Sequence, residues 1–357
     1  MERVNLSTFR STGGELTPRM LRALAPMNAL RTVQLEDTSF HPSADGVSAL
    51  PPISSVVNVS LILNETADHR LLELLALFVR VRTAVVEPSP DDRPTALPYL
   101  PPNFATRCNP FRSLERLDLM NIPLSSVPQF HTWIATCASQ IDGLQLTHVR
   151  LCCEPGLDQV DLMALVAALS SALLRVLGLG CIRYAGLDLI DRLAEPFPML
   201  EALTLIRLMN GQNFRLTPCP WPHTTWEYAP RFSRFQHLQY FAWNFRVDAE
   251  GGCILWDLPH IEVNCPVTDV PSPHDTADDD FGGLRAVAKL FMVHCQSLQR
   301  VNHVSGSGIV HAVEIRGHTG GTMVSYYRCE NGVAWLAVPD EYYPPRMADR
   351  THSWYFE

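Results

Sequence analysis

The chain has a single lysine, Lys289, among 357 residues, and arginine supplies the rest of its positive charge. The net charge is −9. There is no cationic excess of the kind that gathers phosphate backbones, so nucleic acid is not an expected partner. There is also no C-x-x-C. The ten cysteines are scattered, Cys152 and Cys153 are adjacent, and a gap such as Cys253 to Cys265 follows no zinc-ligand spacing. The first residues lack the apolar core of a secretory signal. The longest apolar runs, near 71–81 and 162–177, are interrupted by polar or charged residues and too short to span a bilayer. These absences together predict an intracellular chain, cytoplasmic or nuclear, with no membrane span and with reduced, mostly buried thiols.

What is present is a large apolar fraction, 46%, beside 18% charged residues, which suits a folded chain with a sizeable core. Above all, one spacing recurs: apolar, two residues, apolar, one residue, apolar. It appears at Leu30-Val33-Leu35, Val56-Val59-Leu61, Val81-Ala84-Val86 and Leu114-Leu117-Leu119. It continues at Ile141-Leu144-Leu146, Leu174-Leu177-Leu179 and Leu200-Leu203-Leu205. Weaker versions stand at Leu238-Phe241-Trp243, Leu258-Ile261-Val263 and Leu298-Val301-His303. At the very start, Met1-Val4-Leu6 already has the same spacing.

In a strand, alternate side chains face opposite ways, so the last two apolar positions of each motif point inward together. Between motifs lie stretches with helical periodicity: 66–80, 126–139, 158–174 and 281–298, and "TPRMLRALAPMNALRTVQL" near the start. In the first of these, Thr66 is placed as a cap before Leu71, Leu74, Leu75 and Phe78. Strand, loop, helix, loop then repeats. No single repeat can bury its own apolar face, so such an array depends on stacking.

The segments "SLERLDLMN", "LLRVLGLGC", "MLEALTLIRL" and "HLQYFAWNF" resemble the strand segments of leucine-rich repeats, and more narrowly those of fungal F-box proteins. The resemblance covers about 1–305. The asparagine or cysteine that the family carries three places after the third apolar position is matched clearly only at Asn64. Repeat lengths also wander, with inserted segments at 87–103, 210–230 and 267–283. What the resemblance implies is an α/β leucine-rich repeat solenoid, a horseshoe with parallel inner strands and outer helices, of about ten to eleven repeats. F-box proteins carry a helical adaptor-binding module upstream of such an array. Nothing in residues 1–50 has that pattern, so the expectation is that the chain begins inside a repeat, either as a fragment whose module lies outside it or as a derived member without the module.

The pattern changes after residue 305. Ile309–Ile315, Met323–Arg328 and Val333–Val338, with Asn331-Gly332 as a turn, predict a small antiparallel sheet over 306–357 that closes the array.

No catalytic constellation emerges. "SGSGIV" at 305–310 precedes a strand, whereas a phosphate loop needs a helix after it. The Asp278–Asp280 run lacks the alternation of a calcium loop, and His294, Cys295 and His303 read as structural residues. The chain is therefore expected to do no chemistry and to need no cofactor or metal. The remaining candidate is the concave face, where the variable strand residues form lanes. Aromatic and arginine side chains dominate binding hot spots. They single out Arg116, Asp118, Tyr240, Asn244, Phe245, His260, Glu262 and Arg300 as contacts for a protein partner. By the resemblance, this would be the substrate-recognition region of an F-box-type ubiquitin ligase subunit, touching the ligase adaptor only through an upstream F-box. The alternative is a stand-alone scaffold or inhibitor with no ligase link.

Overall fold

A computed structural model describes residues 6–40, 50–63, 71–88, 109–124, 127–140, 143–208, 219–245, 282–305, 309–314 and 323–328. The predicted strand at 333–338 and the Asn331-Gly332 turn lie outside them. The chain is mixed α/β and divides into two compact units that meet in sequence between Cys181 and Ile182.

In the first unit the strands are β1 (Thr8–Thr12), β2 (Glu15–Leu16), β3 (Thr32–Phe40), β4 (Asn58–Leu63), β5 (Thr83–Pro88), β6 (Arg116–Pro123), β7 (His148–Leu157) and β8 (Val176–Ile182). β8 carries the unit's last residues and ends with the first residue of the second. From β3 to β7 each strand pairs in parallel with the next in sequence, and β1 pairs in parallel with β3. β2 forms a short parallel pair with the far end of β3. Strand order thus follows chain order, with no reversal inside the unit. Open α/β sheets bind ligands in the crevice at a reversal point, so that crevice is missing here among the described residues.

The connections carry short helices. α1 (Pro18–Leu24) begins with Pro18 at its first position and is capped by the Thr17 hydroxyl, which accepts from the Met20 N–H. α2 spans Leu71–Ala76. α3 (Val127–Ala138) buries Phe130, Trp133, Ile134 and Cys137, and Trp133 meets Phe111 edge-on at 5.0 Å. α4 (Gln159–Leu169) is capped by Asp158, whose carboxylate accepts from the Asp161 N–H at 2.9 Å. These helices put side chains at i, i+3, i+4 spacing against the strands' inward positions, such as Val33, Leu35, Val59 and Leu61, each at most 1% exposed. Each such aliphatic side chain contributes roughly 1.5–3 kcal/mol on burial.

One backbone device recurs at the entrances of β3 to β8. A single turn carbonyl accepts two N–H groups from the equivalent turn of the following repeat. Ser7 serves Arg31 and Thr32, Arg31 serves Val57 and Asn58, Val57 serves Arg82 and Thr83, and Arg82 serves Glu115 and Arg116. Glu115 then serves Thr147 and His148, and Thr147 serves Arg175 and Val176. The turns stack in the same phase although the chain between them varies in length, because the inserted residues fall after the strands and leave this ladder intact.

The second unit continues with α5 (Leu187–Ala194), β9 (Ala202–Arg207), α6 (Thr225–Tyr228), β10 (Tyr240–Trp243), α7 (Gly282–His294), β11 (Arg300–Ser305), β12 (Ile309–Glu314) and β13 (Met323–Arg328). The same ladder recurs: Glu201 serves Gln239 and Tyr240, and Gln239 serves Gln299 and Arg300. β9, β10 and β11 are parallel, whereas β11, β12 and β13 pair antiparallel. Helices α5 and α6 fall outside the segments with evident helical periodicity. α5 buries Leu189, Ile190 and Leu193 in only eight residues, too short for a convincing period.

β10 pairs directly with β11, Phe241 facing Val301. The predicted repeat at Leu258-Ile261-Val263 lies outside the described residues. Among the described residues no helix is long and apolar enough to cross a membrane.

Candidate functional site

Register converts each strand of the first unit into rows. The inward rows are Phe9–Val33–Val59–Ala84–Leu117–Val149 and Ser11–Leu35–Leu61–Val86–Leu119–Leu151. The other face carries Thr8–Thr32–Asn58–Thr83–Arg116–His148 and, two residues further on, Arg10–Gln34–Ser60–Val85–Asp118–Arg150. The first of these rows is the accessible one: Thr8 is exposed and Thr32, Asn58, Thr83 and Arg116 are half-buried. Along the second, burial deepens from exposed Arg10 to Asp118 and Arg150, 3% and 1% exposed.

Asp118 and Arg150 form an ion pair, Oδ2 to Nη1 at 3.1 Å. The carboxylate's other oxygen, Oδ1, is buried and has no hydrogen-bond partner. A buried pair of this kind gains Coulomb energy from its surroundings but has given up two hydration shells, so it orders the strands more than it stabilises them. Glu36 and Glu87 are buried on the same face, and Arg10 reaches Glu36 at 3.4 Å.

Beside the pair sits His148. Burial pushes its imidazole down to about 4, and the Arg116 and Arg175 guanidinium groups push the same way. The ring is neutral at physiological pH, with Nδ1 2.8 Å from the Thr147 hydroxyl.

Sequence reasoning missed His148 and Arg150 for a definite reason. The spacing predicts a motif at Ile141-Leu144-Leu146, with Gln145 and Thr147 between and after. In the structure the motif is Leu146-Val149-Leu151, since Val149 pairs with Leu117 and Leu151 with Leu119. The pattern overlaps itself when slid so that its last position becomes its first, and Leu146 fits both. Gln145 is exposed and precedes the strand. The same slide occurs at the start: the described strand is Thr8–Thr12, with Phe9 facing Val33, so Leu6 takes the first place of the motif, while Met1 and Val4 lie outside the described residues.

In the second unit Tyr240 and Arg300 are register partners and half-buried. Both are placed as an accessible row requires. Asn244 lies on no open lane. It is wholly buried and its amide clamps Arg207, accepting from the backbone N–H and donating to the backbone carbonyl, both at 2.8 Å. Phe245 is 8% exposed and stacks on Trp243 at 4.7 Å, while its backbone bridges to Cys219. The His303 ring meets the Phe245 carbonyl.

The loop tryptophan Trp221 packs edge-on against Trp243 and Tyr228, both at 5.5 Å, in an aromatic cluster continued by Phe232, Phe241 and Phe291. The Tyr228 hydroxyl donates to the Ala185 carbonyl, and burial raises its pKa. His260 and Glu262 lie outside the described residues. His294, Cys295 and His303 are not gathered: the Cys295 thiol points to the Phe235 and Leu238 carbonyls. Among the described residues no group of three or more His, Cys, Asp or Glu side chains is placed to hold a metal ion.

What remains as a candidate surface is the entrance row of each unit. In the first it runs Thr8–Thr32–Asn58–Thr83–Arg116, and in the second it is Tyr240 with Arg300. Both are polar, partly accessible and fixed by the turn ladder. No family model matches the chain, and no curated protein matches it.

Proposed function

We infer that this chain is a protein-binding module built as a leucine-rich repeat solenoid, and that its entrance rows contact the partner. The observation that carries this reading is the accessible row of register-aligned polar residues on parallel strands that follow one another in chain order. Such a row presents one side chain per strand on a rigid backbone, so recognition is multivalent and needs little ordering on binding. Arg116, Tyr240 and Arg300 are the residue types that anchor interfaces. Asp118 in the first unit, and Asn244 and Phe245 in the second, are buried and help fix the strands that carry each unit's own row.

The narrower reading is the substrate-recognition region of an F-box-type ubiquitin ligase subunit. It rests on the likeness of the strand segments alone. In it, the array captures a protein and holds it near a separate catalytic partner.

The test is a quantitative affinity purification with the full chain and with an Arg116→Glu/Arg300→Glu variant whose thermal midpoint matches the wild type. The reading expects a protein enriched by the wild type and lost at least tenfold on the variant. Equal enrichment on both would remove the entrance rows from the interface. Co-enrichment of a cullin-type ligase adaptor with the natural full-length product would support the narrower reading, and its absence would leave the scaffold reading in place.

A further inference from the structure

β7 and β8 bring two cysteines face to face. The Cys152 and Cys181 Sγ atoms are 2.9 Å apart, and both residues are wholly buried. Two local features produce the approach. Gly180 lies against Cys152, so closely that a Cβ there would sit 3.1 Å from the Cys152 Cβ. The missing side chain leaves room for sulfur. Cys181 has a φ of 59°, a left-handed conformation that few non-glycine residues adopt. That turn breaks the alternation of β8 and directs the Cys181 side chain to the Cys152 side. Cys153, next in the chain, points to the opposite face of β7 by alternation, and burial keeps its thiol protonated.

We propose that Cys152 and Cys181 are a built redox pair that closes to a disulfide and fastens β7 to β8. Neighbouring strands lie ~4.8 Å apart with a rise of ~3.3 Å per residue, so diagonal Cα atoms are ~5.8 Å apart. That lies inside the window of about 4.4–6.8 Å that disulfides occupy, so closure needs side-chain rotation and little backbone movement. The oxidant is a low-molecular-weight disulfide of the glutathione class. One protein thiolate attacks it and displaces a thiol, giving a mixed disulfide. The second protein thiolate then attacks the protein sulfur and displaces the other thiol. Two protein S–H bonds and one oxidant S–S bond are lost, and one protein S–S bond and two small thiols are formed. Both sulfurs are buried, so the exchange waits on local opening and is slow.

Trypsin makes the test direct, because Arg150, Arg175 and Arg183 place the two cysteines on separate peptides, 151–175 and 176–183. The reduced full chain is equilibrated in a reduced/oxidised glutathione buffer until its mass stops changing. Remaining thiols are alkylated under denaturing conditions, and the chain is digested without reductant. The expected product is peptide 151–175 joined to 176–183, with fragment ions from between Cys152 and Cys153 placing the bridge at Cys152. The joined peptide persists in C153S, and the oxidised chain melts at a higher temperature than the reduced one until dithiothreitol is added. A plateau at which Cys152 and Cys181 are both alkylated, or a bridge placed at Cys153, overturns the proposal. A joined peptide without any rise in melting temperature overturns the fastening role.

Discussion

The side-chain amide of Asn244 holds the backbone of Arg207 at both of its polar groups, each at 2.8 Å. Asn244 follows β10 and Arg207 ends β9, so the amide acts as one more rung where the ladder of the two strands has stopped. The amide thereby fastens the end of β9 to the residue that follows β10.

Replacing Asn244 with Ala leaves a backbone donor and acceptor without that partner, in a site the side chain had closed. Each buried group so orphaned costs about 1–3 kcal/mol. The expected loss is about 2–4 kcal/mol, read as a lower urea midpoint at unchanged slope. A loss under about 0.5 kcal/mol would mean water takes over both bonds.

The Asp118–Arg150 pair should be far more sensitive to halving than to removal. Arg150→Met alone leaves a buried carboxylate and is expected to cost about 3–5 kcal/mol, whereas Asp118→Leu with Arg150→Met should recover most of it. A double-mutant cycle by denaturant unfolding checks this, and additive single effects would contradict the pairing.

His148 gives the fold a pH dependence of known sign. Its folded-state value, about 4, lies below the ordinary 6.5. Between those values the unfolded chain binds a proton that the folded chain refuses, so stability is full above about 6.5 and is lost as pH falls toward 4. The loss attributable to this ring is at most about 3 kcal/mol. Unfolding midpoints at pH 7.5 and 4.5 should differ less in His148→Leu than in the wild type. An unchanged difference would assign the acid sensitivity to other groups.

The register of β7 has its own test. Val149 is 2% exposed and Gln145 is exposed. Val149→Ala should cost about 1–3 kcal/mol, and Gln145→Ala should fall within about 0.5 kcal/mol of zero. The reverse order would restore the alternative phase built on Leu144 and Leu146.

The inward rows were legible because Leu117 and Leu119, or Leu203 and Leu205, repeat one spacing that only a strand with one helix-covered face explains. Phase was legible only where no residue fitted the motif twice. Leu146 and Leu6 fitted twice, and the strands moved by one motif length, taking His148 and Arg150 out of view. Burial of Asp118 and Asn244 was also hidden. A polar residue between two apolar ones reads as solvent-facing, and only the three-dimensional partner, Arg150 or the Arg207 backbone, shows why it is content inside. Tyr240 and Arg300 followed the simple alternation, and both are half-buried.

The most direct measurement is hydroxyl-radical footprinting of the chain alone and bound to a protein partner recovered by affinity purification. Tyr240 stands half-buried on the second unit's entrance row, while Met199, Val160 and Leu173, which belong to neither row, are 47%, 76% and 75% exposed. The account predicts that binding lowers oxidation at Tyr240 and leaves Met199, Val160 and Leu173 unchanged. Protection at those three residues with Tyr240 unaffected would place the partner off the entrance rows and contradict it.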